Sequence, residues 1–81
     1  MSDDKVLLEV RRLLAETIEE KPPTLLSETR LEDIENLDSV GLITLFLTVE
    51  GAFGVRFTTD EMSAMRTIGD IVAGVSSQLK R

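Results

Sequence analysis

The chain contains no cysteine, histidine, tyrosine or tryptophan, and only three phenylalanines and two prolines. Each absence removes a class of chemistry. Without cysteine there is no disulfide scaffold, thiolate zinc site or cysteine nucleophile. Without histidine the commonest general base and metal ligand is missing, so hydrolytic triads and most metalloenzyme centres lack their parts, and no metal site is expected. Three phenylalanines cannot build an aromatic platform for stacked bases. Positive charge is also scarce: 9 Lys and Arg stand against 15 Asp and Glu, a net charge of −6. Phosphate backbones and anionic membranes repel such a chain, while basic protein patches attract it, so nucleic acid is not an expected partner. The opening MSDDK is acidic, and no apolar run reaches the length of a signal or membrane segment. A freestanding cytoplasmic protein without membrane insertion is expected, with no catalytic residues of its own and a binding or carrying role.

What is present fits one small globular domain. The 81 residues are 42% hydrophobic and 30% charged, so a single domain spanning 1–81 and a monomer are expected. A chain this short buries only about 60–65% of its unfolded surface, which allows a simple architecture of modest stability.

Helical periodicity dominates. Val6, Leu7, Val10, Leu13, Leu14 and Ile18 recur at helical spacing, with Glu9, Arg11, Arg12, Glu16 and Glu19 opposite. Ser2 or Asp3 can cap this first helix, Asp4 suits the positive end of its dipole, and Pro22 ends it. From Pro22 to Asp38 no clean period survives, and the scattered leucines 25, 26, 31 and 37 predict a long loop packed over the core. A second helix is predicted from Ser39 to Phe53, stopped by Gly54. Thr58 with Glu61 has capping-box spacing and predicts a short helix over 60–65. Thr67 with Asp70 repeats that pattern ahead of Ile68, Ile71, Val72, Val75 and Leu79. The expected fold is all-α: a small four-helix bundle of three longer helices and a short third one, with a long first loop.

The stretch NLDSVGLITLFLTVEGAFG, residues 36–54, is the least ordinary. On a helical wheel Leu42, Leu45, Phe46, Val49 and Phe53 make the core stripe, whereas Gly41, Thr44, Thr48 and Gly51 point mostly away. Val40, Ile43 and Leu47 form a second apolar strip outside the core. Four short helices cannot easily cover both sides, and an exposed apolar strip at a helix start marks a contact surface. Asp38 and Ser39 are both favoured helix caps, so capping alone would account for them.

The whole constellation resembles the acyl carrier protein family, including its aminoacyl and peptidyl relatives, over nearly the full chain. LDSVGLITLFLTVEGAFGVRFTTDEM is similar to the family's Asp-Ser-Leu segment, the end of its second helix and the threonine/acid start of its third. MRTIGDIVAGV is similar to its last helix. The resemblance implies that Ser39 bears a phosphopantetheine arm taken from coenzyme A, with Asp38 as the flanking acid. The arm's thiol then carries acyl groups as thioesters. It also implies a phosphopantetheinyl transferase, an acyl-loading ligase or acyltransferase, and downstream synthases or transferases as partners. By the same resemblance Val40, Ile43, Leu47 and Glu50 meet partners. The interior around Leu45, Phe46, Val49, Phe53, Met62, Met65 and Ile71, otherwise plain core, can shelter an acyl chain. Nothing nearby activates the serine, so it is a substrate, and the transferase must supply base and metal. Its phosphodiester would lie at the positive end of the second helix.

The chain departs from the family in three places. It reads DIENLDS where a glycine commonly precedes Asp-Ser, and Val40 replaces the usual leucine. Family positions on the second helix that are often acidic are Gly41, Thr44, Gly51 and Ala52 here, leaving Glu50. Docking through a mainly apolar face is therefore expected, with Glu32, Asp33, Glu35, Asp60 and Glu61 steering from elsewhere. The pathway expected is a specialised fatty-acid-like or polyketide-like one. A freestanding aminoacyl or peptidyl carrier is the near alternative, and a helical adaptor with an unmodified Ser39 the distant one.

Overall fold

The computed structural model describes residues 3–18, 27–34 and 37–80. It contains α1 (Asp3–Ile18), α2 (Ser39–Phe53), α3 (Thr59–Ala64) and α4 (Ile68–Leu79), with a 3₁₀ turn at Leu31–Asp33. The fold is all-α, and no strand occurs among the described residues. The expected Ser2 cap, Glu19, Leu25, Leu26 and Glu35 lie outside the described residues.

α1 is the central element, packed against both α2 and α4. Its Val6, Val10, Leu13, Leu14 and Ile18 form one buried stripe. The opposite face is held by Arg12, whose guanidinium bonds Glu9 and, at 2.7 Å, Glu16 one turn on. Leu45, Phe46 and Val49 of α2 and Ile68, Ile71, Val72 and Val75 of α4 complete the core. Phe46 meets the ring of Phe57 edge-on, with centroids 6.3 Å apart. Each such buried aliphatic or aromatic side chain contributes about 1.5–3 kcal/mol over an exposed one. Leu79, expected on the apolar face of α4, ends that helix in an exposed position.

Caps set the helix limits. Gly54 takes the left-handed conformation, φ 67°, and its N–H bonds the Glu50 carbonyl at 2.9 Å, which stops α2. Thr58 and Glu61 form a full capping box, so α3 begins at Thr59, and Met65 is already extended, so it ends at Ala64. The short helix is thus one residue earlier at each end than the spacing predicts. Gln78 reaches back from α4 to clamp both main-chain groups of Arg56.

The long first loop is fastened, not draped. Leu31 N–H bonds the Arg66 carbonyl at 2.8 Å, Ile68 N–H the Thr29 carbonyl at 3.1 Å, and Gly69 N–H the Ser27 carbonyl at 2.7 Å. These bonds make a strap between residues 27–31 and 66–69, and they bury Leu31 and Ile34 in the core. A Cβ at Gly69 would lie 2.9 Å from the Ser27 carbonyl oxygen, too close for any side chain without main-chain movement. Gly69→Ala is expected to cost about 1–3 kcal/mol, seen as a lower urea midpoint. An unchanged midpoint would show that the strap yields to the added methyl without measurable loss.

Thr67 caps α4 and Asp70 completes its capping box, the Asp70 Oδ2 accepting N–H bonds from Arg66 at 2.9 Å and Thr67 at 3.1 Å. The Arg66 amide above all holds this carboxyl below the usual aspartate range, against an opposing push from burial and with further help from the Thr67 bonds. The folded state therefore favours the ionised carboxylate. That contribution is complete above the ordinary unfolded value of about 3.9 and is lost as pH falls through the lower folded value. As pH falls below about 4 the parent should lose more stability than Asp70→Asn. Parallel midpoint-against-pH curves for the two would contradict the assignment.

Candidate functional site

The cap of α2 decides the standing of Ser39. Asp38 is the N-cap: it is extended, and its Oδ1 accepts the Gly41 N–H at 2.7 Å. Ser39 is the first helical residue, exposed, and its hydroxyl makes no hydrogen bond among the described residues. The serine is therefore spared from capping and left open to solvent, at the helix end where the first N–H groups have no partner within the helix. A helix of this length, fifteen residues, presents a positive dipole end there that favours an anion.

A groove of about 530 Å³ opens beside Ser39. One side is α2, through Asp38, Ser39 and Leu42; the other is α3 and its exit, through Met62, Ser63, Met65 and Arg66. Leu31, Glu32 and Leu37 close the loop end. Of the side chains expected to shelter an acyl chain, Met62 and Met65 line this groove. Leu45, Phe46, Val49 and Ile71 instead fill the core with almost no exposure. Phe53 lies at the other end of α2, in a hollow of about 500 Å³ with Leu8, Lys5 and Arg12. The open space thus lies over the core, walled in part by Leu31 and Leu37 of the loop that the sequence predicts to pack there. Arg66 carries no signal at all in the sequence.

Outside the core stripe Val40 is 71% exposed and Ile43 and Leu47 are each 59% exposed. Around them the helix hides its polarity. Thr44 donates its hydroxyl to the Val40 carbonyl at 3.0 Å and Thr48 to that of Thr44 at 2.8 Å, so neither hydroxyl proton is offered outward. Glu50, the one charged residue of α2, is half-buried, and its Oε2 accepts the Phe57 N–H at 2.8 Å. The carboxylate expected to face partners is therefore engaged in closing the α2–α3 connection. Glu32, Asp33, Asp60 and Glu61 are exposed, but Glu32 pairs with Arg30 at 3.3 Å and Glu61 completes the α3 capping box. No group of three or more acids that could hold a metal ion occurs among the described residues. No helix there is long and apolar enough to cross a membrane.

The phosphopantetheine attachment site family matches residues 9–75. An acyl carrier protein of Coprothermobacter proteolyticus is 30% identical over 79 residues, covering 98% of this chain and 96% of its own. The chain belongs to the acyl carrier protein family. It is a carrier and not a catalyst, and it bears phosphopantetheine covalently. As an acyl carrier protein it meets a phosphopantetheinyl transferase and acyl-handling enzymes. The meromycolate extension acyl carrier protein of Mycolicibacterium aurum is 31% identical over 64 residues, 74% of this chain and 66% of its own. The solution structure of a holo acyl carrier protein from Geobacter metallireducens shares the fold. Its TM-score is 0.85 at 22% identity, over 94% of this chain and 87% of that one. The site suits the arm: a free exposed hydroxyl, an anion-favouring helix end and an adjoining groove coincide at one point.

Proposed function

We propose that Ser39 is the residue that takes the arm, and that the carrier serves a specialised fatty-acid-like or polyketide-like pathway with dedicated partners. The observation that carries the attachment is the division of labour at α2: Asp38 caps and Ser39 stays free. In the transfer the Ser39 hydroxyl attacks one phosphorus of coenzyme A's pyrophosphate. A phosphodiester forms, the nucleotide part leaves, and the proton passes to a base on the transferase. Once attached, the arm's thiol holds acyl groups as thioesters. Asp38 keeps the helix start in place, and its carboxylate is committed to the Gly41 amide.

Docking uses the same helix. With the Thr44 and Thr48 hydroxyls donating to their own helix and Glu50 half-buried, the partner face is Val40, Ile43 and Leu47, and a complementary surface must be apolar where it touches. Ion pairs at the rim steer encounter but add little affinity, so a housekeeping role built on an acidic second helix is disfavoured. A relative named for meromycolate extension accords with specialised use of this fold. The ligase or acyltransferase that loads the arm and the synthase that unloads it would share this face.

The test is intact mass after incubation with coenzyme A, magnesium and a broad-specificity phosphopantetheinyl transferase, with peptide mapping afterwards. A gain of one arm on the peptide containing Ser39 is expected. A gain located on any other peptide refutes the attachment. No gain, with the chain folded and a known carrier modified alongside, supports an adaptor instead.

A further inference from the structure

Arg66 is the one cation among the side chains lining the groove beside Ser39, which also includes the carboxylates of Glu32 and Asp38. Its main chain is pinned from both sides: its N–H bonds Asp70 Oδ2 at 2.9 Å, and its carbonyl accepts Leu31 N–H at 2.8 Å. The Cα is therefore fixed at the groove edge, while the guanidinium makes no hydrogen bond or ion pair among the described residues. Of the neighbouring acids only Asp70 feels the Arg66 charge, as the last and weakest of the pulls on its carboxyl, and none forms an ion pair with the guanidinium. Asp70 takes the amides of Arg66 and Thr67, Asp38 takes the Gly41 amide, and Glu32 pairs with Arg30.

An arm on Ser39 adds a phosphodiester charge to a groove already holding two carboxylates, on a chain of net charge −6. That anion needs a partner, and a guanidinium presents a planar fork that matches phosphate and carboxylate oxygens. We infer that Arg66 receives an anionic group delivered by the arm and so lays the arm along the groove. This rests on Ser39 as the attachment residue. Two groups on a loaded arm share the required chemistry: the phosphodiester itself, and a free carboxylate at the far end of a dicarboxylic acyl cargo. Over the rest of its length the arm would lie against Leu42, Met62 and Met65, where no fixed polar partner competes.

The experiment tracks the Arg66 Nε–H resonance, assigned with Arg66→Gln, in the apo carrier, the holo carrier, and holo carriers loaded with butyryl or succinyl groups. Intact mass is recorded for each sample. A shift and slower solvent exchange on going from apo to holo, reversed at about 0.5 M salt, identifies the phosphodiester as the anion. A shift with succinyl but not with butyryl or holo identifies the cargo carboxylate. An Nε–H that stays at its apo position in all three arm-bearing forms overturns the inference. If the arm is not gained at Ser39, both readings fall, and the mass reports this before any spectrum is recorded.

Discussion

Ser39→Ala is expected to abolish uptake of the arm completely while leaving the fold almost untouched. The two effects separate because the helix start divides its tasks between neighbours. Serine at a cap would be worth about 1 kcal/mol to the helix, and its loss would confuse chemistry with unfolding. Here Asp38 makes the capping bond, and Ser39 is exposed without a hydrogen bond among the described residues. Alanine is also a good residue inside a helix, so the change in stability should stay within about 0.5 kcal/mol. Asp38→Ala is expected to do the reverse: a loss of about 1 kcal/mol of stability with modification slowed but present. Ser63 lies on the far side of the same groove and serves as an internal control, since it should remain unmodified throughout. Intact mass and a urea midpoint on the two variants decide the matter. Arm uptake by Ser39→Ala, or unfolding of it, would overturn the division of labour.

Ile43→Asp is expected to cut kcat/KM for arm transfer about 10- to 100-fold, with no comparable change in stability, because a carboxylate pressed into an apolar contact without a partner costs about 1–3 kcal/mol. Ile43 is the middle of the exposed strip between Val40 and Leu47, and no cation of α2 stands beside it. Because the residue is 59% exposed in the free carrier, folding itself scarcely registers the change. Ile43→Ala should be milder, a few-fold, since it removes contact area without adding charge. A rate that rises with Ile43→Asp would mean that partners present cations to this face, and the apolar docking surface would then be wrong.

Legibility in the sequence tracks the range of the forces involved. The limits of α2 are readable because both are local: an Asp-Ser step at one end and a left-handed Gly54 at the other. The exposed strip is readable from period alone, since no packing partner has to be known. Which of Asp38 and Ser39 caps is not readable, because both side chains are suited and the backbone geometry decides. The inward turn of Glu50 is equally hidden, as it depends on the Phe57 amide arriving across a connection. The strap joins segments far apart in the chain, Arg30 facing Thr67, and nothing in either segment alternates like a strand. Gly69 reads as an ordinary helical glycine, and only the fold sets the Ser27 carbonyl against it. For the groove, Leu37 could be suspected from its place just ahead of Asp38 and Ser39, but the opposite wall depends on the strap.

The strap also determines how the molecule can yield. Residues 27–31 and the 66–69 junction are one hydrogen-bonded unit, so the loop end of the groove and the exit of α3 cannot separate without breaking main-chain bonds. Across the groove, toward α2, the lining side chains Leu37, Leu42, Met62 and Met65 are only half-buried, and α3 itself buries no residue fully. Compliance is therefore directional: stiff along the strap, soft between α2 and α3. Methionine side chains on the soft side can reshape with little loss. A guest in the groove would widen it along that single direction and leave the α1–α4 core, and the seat of Ser39, where they were.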